Sequence, residues 1–219
     1  IVSVGSLTIG MGSLMTASGT AMIVNGPMTV YGTFDQATTP LSVAGDLFIG
    51  ASGQFIKSST NALFLLNGDL TVLDNSGQSL GDVQVGASPE TITLLSDIMV
   101  DDLVVGTGDT LVTNGYNITV GTGGVTLHGL LNASDNGGRV SAITVSGSWL
   151  ATGTGDFVSG TSTVTFNGEA TNSIISNSGA FHRLIIALSG GTITQQGAVS
   201  VTDQFTVQSG TYEHSMGTL

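Results

Sequence analysis

A recurring phrase constrains this chain more than any other feature: apolar–x–apolar, followed within a few residues by glycine. From Val83 onward it reads VQVG, LVVG, VTLHG, ITVSG, VTFNG, LIIALSG and FTVQSG, starting at Val83, Leu103, Val125, Ile143, Val164, Leu184 and Phe205. Successive starts are separated by intervals of 20, 22, 18, 21, 20 and 21. An earlier series, LTIG, MTVYG, LFIG and LTVL, starts at Leu7, Met28, Leu47 and Leu70, with intervals of 21, 19 and 23. The step from Leu70 to Val83 is much shorter than any of these. This slip of phase near 73–83 marks either a shortened rung or a phrase passing to another face.

Successive side chains of a strand point to opposite sides, so the first and third residues of each phrase point inward together. That predicts one column of Val83, Leu103, Val125, Ile143, Val164, Leu184 and Phe205. A second column holds Val85, Val105, Leu127, Val145, Phe166, Ile186 and Val207, and every member of both is apolar. The residues between them, Gln84, Val104, Thr126, Thr144, Thr165, Ile185 and Thr206, are expected to face out. Glycine after the phrase is expected to give the freedom for a sharp turn. A solenoid requires such a period, because each coil buries its apolar face against the next. The predicted fold is therefore all-β: a right-handed, single-stranded parallel β-helix of about ten to eleven rungs of about 20 residues, with 1–219 as one domain. Further strands are expected at Met22 to Val24, Leu41 to Val43, from Ile118, and at Val199 to Val201.

Glycine and β-branched residues are too frequent for helices. The pairs Asn25-Gly26, Asn67-Gly68, Asn114-Gly115, Asn136-Gly137 and Asn167-Gly168 are hairpin signals, so an antiparallel sandwich or barrel is the rival fold. It has no reason to keep a constant period.

Composition narrows the function. Only 8% of residues are charged while 40% are hydrophobic, which is too apolar for a disordered chain. The most apolar stretch, Ala62 to Val72, is interrupted by Asn67, Gly68 and Asp69, far short of a membrane-spanning helix. An aromatic content of 5% is too low for the girdles of a membrane barrel, and no membrane insertion is expected. A net charge of −12 with three basic side chains, Lys57, Arg139 and Arg183, argues against nucleic acid. Absence of cysteine excludes disulfides and thiol chemistry. The sequence opens at Ile1 without a leader motif.

The densest acidic stretch holds Asp82, Glu90, Asp97, Asp101, Asp102 and Asp109, and Asp82 and Asp102, one repeat apart, are expected to stack on neighbouring rungs. Paired carboxylates serve glycoside hydrolysis or bind calcium through oxygen. Asp82, Asp101, Asp102 and Asp109 are the candidate calcium ligands; no other cofactor is expected. The stretch contains no Lys or Arg to handle a uronate, and no catalytic residue is assigned. His128, His182 and His214 are too scattered for a metal cluster, and His182 reads as a turn residue. Asn117 and Asn132 head N-glycosylation sequons, Asn117-Ile118-Thr119 and Asn132-Ala133-Ser134.

Phrases such as GTAMIVNGPMTVYGTF, GDLFIGASGQF and VTFNGEATNSIISNSGAFHRLIIALSGGTITQQGAVSVTDQFTVQSGTY resemble the repetitive β-solenoid regions of large secreted bacterial and archaeal surface proteins, adhesin passenger domains among them. The resemblance implies secretion to the extracellular space or cell surface and a scaffold or adhesive role, and carries over no functional residue. The two ends of a β-helix are open strand edges. Neither IVSVGSLTIG nor TYEHSMGTL offers a capping helix or a charged cluster. The expected function is a structural, non-enzymatic segment of an extracellular fibre or surface layer, paired end to end with copies of itself or with flanking solenoid of the same chain. One alternative is an adhesin stalk or module binding surface glycans through aromatics such as Tyr31, Trp149 or Tyr212. Another is a polysaccharide lyase or hydrolase, or a phage-type spike.

Overall fold

The computed structural model describes residues 1–57, 63–66, 68–86, 89–176 and 179–214. The chain is all-β and coils into a parallel β-solenoid of about nine turns, with rungs of about 21 residues. Every pair of described strands that forms a ladder is parallel. The one antiparallel bridge among the described residues joins Asn136 to Arg139, so the hairpin rival falls. Turns are fewer than the ten to eleven expected because several rungs are long. Val2 pairs with Met22, a step of 20, whereas Val125 pairs with Trp149, a step of 24, and Trp149 with Ile174, a step of 25.

The early rungs have three sides. Val2–Val4, Met22–Val24 and Leu41–Val43 stack on side one. Leu7–Ile9, Met28–Val30 and Leu47–Ile49 stack on side two. Leu14–Thr16, Thr33–Asp35 and Gln54–Ile56 form side three. Later, long strands such as Ile98–Val105, Ile118–Leu127 and Phe181–Gln195 run round a corner and join two sides into one 13-stranded sheet.

The repeated phrase does not stay on one side. Val83, Leu103 and Val125 are successive backbone partners on side one. Ile143, however, pairs with Ile118 and Val164, and the column continues through Leu184 to Phe205. The short interval from Val125 to Ile143 is thus a step within a rung and not to the next one. The slip near 73–83 is the same kind of event. Leu70 belongs to side two, in register with Ile92, and Val83 to side one.

Of the fourteen residues predicted to face inward, twelve are at most 3% exposed; Phe205 and Val207, on the last rung, are each 45% exposed. The residues between them are half-buried, as alternation requires. Side chains from Ile9 to Ile193 make one continuous core. Trp149, Phe157 and Phe181 pack within it, the Trp149 ring centroid 5.0 and 5.3 Å from the other two.

Glycines such as Gly26, Gly32 and Gly45 are needed for a reason other than turning. None has a left-handed backbone. A Cβ on Gly26 would lie 2.5 Å from the Gly5 carbonyl oxygen, on Gly32 2.2 Å from that of Gly10, and on Gly45 2.4 Å from the Gly26 carbonyl carbon. Rungs approach backbone to backbone there, leaving no room for a side chain.

Candidate functional site

Asp82 and Asp102 are backbone partners, as their spacing predicts. The partner strand Ile118–Leu127 bulges here: Val120 pairs with Val100 and Gly124 with Asp102, so Gly121, Thr122 and Gly123 stand opposite Asp101 alone. Asp82, Asp101 and Asp102 line a pocket of about 540 Å³ together with the bulged Gly121, Thr122 and Gly123. A Cβ on Gly123 would lie 2.6 Å from the Asp102 Cβ.

The acidic stretch has a basic partner after all. Lys57, which directly follows the strand Gln54–Ile56, places Nζ 2.9 Å from Asp82 Oδ1 and 3.4 Å from Asp101 Oδ2, with only 7% of its side chain exposed. It lies about two rungs before Asp101 in the chain, so no linear motif announces it. Gly81 makes the passage: a Cβ there would sit 2.2 Å from Lys57 Cδ. Ser79 Oγ donates to Asp101 Oδ1 at 2.7 Å. Burial, and then the negative charge of Asp82, raise the Asp102 carboxyl above its ordinary value; the Leu103 backbone and Lys57 oppose the shift.

Three of the four candidate calcium ligands, Asp82, Asp101 and Asp102, line the same pocket. Asp82 and Asp101 hold the Lys57 ammonium, which occupies the place a cation would take between them. Asp109 lies apart and buried, accepting the Glu90 N–H at 3.1 Å. Among the described residues no group of three or more His, Asp or Glu side chains could hold a metal ion.

Several other carboxylates stitch one rung to the next. Asp46 Oδ1 accepts from Thr71 N and Oγ1, Asp69 Oδ1 from Thr91 N, and Asp135 Oδ1 from Thr161 N and Oγ1. Asp97 accepts from Asn117 N and Nδ2. Both sequon asparagines are engaged: Asn117 Oδ1 accepts from Ala142 N, and Asn132 Oδ1 from Ser134 N. His182 lies inside the strand Phe181–Gln195, not in a turn. It stands 3.7 Å from Asp203, whose Oδ2 accepts from Arg183 Nε at 2.6 Å. That hydrogen bond, against a weaker opposing effect of desolvation, lowers the Asp203 carboxyl.

Trp149 is fully buried and offers no binding surface. Tyr31 is 42% exposed and packs on Phe48. Tyr212 is half-buried against Phe205, and burial raises its phenol. The sequence reading missed Tyr116 and Arg139, which meet in a second groove of about 400 Å³. Asn136-Gly137 is the available signal, a hairpin signal taken above as a mark of the antiparallel rival fold. Comparison with protein-family models, with curated proteins and with solved structures finds no match to this chain.

Proposed function

We propose that this solenoid is a structural segment of an extracellular fibre or surface layer, and that its rung ends stack on copies of itself. The observation that carries the reading is that the end rungs are built like covered ones. Phe205 and Val207 continue columns whose other members are at most 3% exposed, yet stand 45% exposed. At the other end, Gly5 and Gly10 have no left-handed backbone and no atom crowding them. Their counterparts Gly26 and Gly32 are glycine because a neighbouring rung leaves no space. Residues 1–34 contain no charged side chain, so the first rung lacks the charges that blunt exposed strand edges. The low charge and the resemblance to repetitive secreted surface proteins support an exterior location.

The Lys57 cluster is an ion-paired clamp between rungs, with its cation supplied by the chain. Sedimentation velocity over a concentration series tests the reading. Stacking gives concentration-dependent growth that Phe205→Glu or Val207→Glu abolishes, and a single monomeric boundary at every concentration would overturn it.

A further inference from the structure

Between the strands Leu130–Asn132 and Ala142–Val145 the chain leaves the path of the rungs. Asn136 and Arg139 close a small hairpin, with Gly137 and Gly138 at φ 59° and 84°, the backbone that a two-residue hairpin turn demands. The hairpin is seated on a neighbouring turn. Asn136 Nδ2 donates to Asn114 Oδ1, and Gly115 is bare where a Cβ would lie 2.4 Å from Arg139 Cβ. This seating holds the Arg139 guanidinium 4.1 Å over the Tyr116 ring. In solenoids, insertions of this kind map to one face, often the one that binds.

The groove of about 400 Å³ beside the hairpin is lined by Arg139, Tyr116, Leu95, Asn75, Asp97 and Asp74, among others. Arg139 makes no ion pair among the described residues. Its carboxylate neighbours already have donors: Asp97 binds Asn117, and Asp74 binds the Ser76 N–H and hydroxyl. The guanidinium therefore keeps N–H donors for a ligand. An anionic ligand meets two carboxylates, and a cationic one meets the guanidinium. A neutral, hydroxyl-rich molecule uses both signs, because each hydroxyl donates and accepts. Leu95, 38% exposed, offers an apolar patch to its C–H face.

We infer that this groove binds a neutral saccharide, Arg139 donating to its hydroxyl oxygens and Asp97 and Asn75 accepting from its hydroxyls. The site is independent of the rung ends. The chain has two arginines, Arg139 and Arg183, so its Nε–Hε nuclear magnetic resonance signals are two and are assigned with Arg139→Lys. The ¹⁵N-labelled chain is titrated with maltohexaose, cellohexaose and laminarihexaose, and with hexagalacturonate and a chitosan hexamer as charged controls. At least one neutral hexaose shifts the Arg139 signal saturably, with a dissociation constant of about 1 mM or below, and leaves Arg183 unmoved. Leu95→Ser weakens that binding, with the Arg183 signal reporting an intact fold. An Arg139 signal that stays still for all three neutral probes up to about 10 mM, or moves further with either charged hexamer, overturns the assignment.

Discussion

Val164–Phe166 and Phe205–Val207 carry the same pattern on the same side of the coil, two rungs apart. The first pair of inward residues is fully buried and the second is 45% exposed. Gly45 and Gly5 differ in the same way, one pressed on the backbone of a neighbouring rung and the other in open space. So do two ion pairs, Lys57–Asp82 with a side-chain exposure of 7% on the lysine, and Arg183–Asp203 with 49% on the arginine. In a solenoid the energetic weight of a residue depends less on its type than on whether a rung lies on both sides of it, since stability sums over neighbour interfaces.

The largest expected contrast is between Phe166→Ala and Phe205→Ala. Removing the Phe166 ring empties a closed core and costs about 3–5 kcal/mol. Removing the Phe205 ring from dispersed chains costs about 1 kcal/mol. Urea denaturation measures both, and equal losses would mean that the last rung is covered. Lys57→Met leaves Asp82 and Asp101 without their cation. Their partial exposure holds the cost to about 2 kcal/mol, whereas Arg183→Met at the end of the stack is expected to leave the denaturation midpoint nearly unchanged. Gly45→Ala forces a Cβ into backbone and costs about 1–2 kcal/mol, while Gly5→Ala is silent in dispersed chains.

The smallest effect is a pH dependence. Asp102 titrates above its ordinary 3.8 in the folded chain, so the folded state holds this proton more tightly than the unfolded one. Its favourable contribution is complete below 3.8 and is lost as pH rises through the folded value. Asp102→Asn is therefore expected to raise stability at neutral pH, by a fraction of about 1 kcal/mol given its partial exposure. That gain shrinks as pH falls through the folded value and is gone below 3.8. Thermal melts across pH read this directly, and a gain that persists in acid would contradict it.

The coil itself was legible because burial in parallel strands leaves a period-two apolar trace that each rung repeats. Which side a phrase occupied was not. Leu70 and Val83 obey the same pattern on different sides, as do Val125 and Ile143, and nothing local distinguishes the sides. The stacking of Asp82 on Asp102 followed from their spacing. Lys57 did not, because its approach depends on the clearance at Gly81, which only the folded stack reveals. The isolation of Asp109 has the same origin. It follows Asp102 closely in the chain but turns inward at a corner to hold the Glu90 N–H. Arg139 and Tyr116 are distant in the chain, and only the hairpin's seat on Gly115 joins them.

Electron microscopy of the concentrated chain tests the stacking of rung ends most directly. Stacking predicts filaments with an axial repeat of about 45 Å, the height of about nine turns at the spacing of strands in a sheet, and their disappearance in Phe205→Glu. Separate rods of that length at every concentration, unchanged by the substitution, would contradict it.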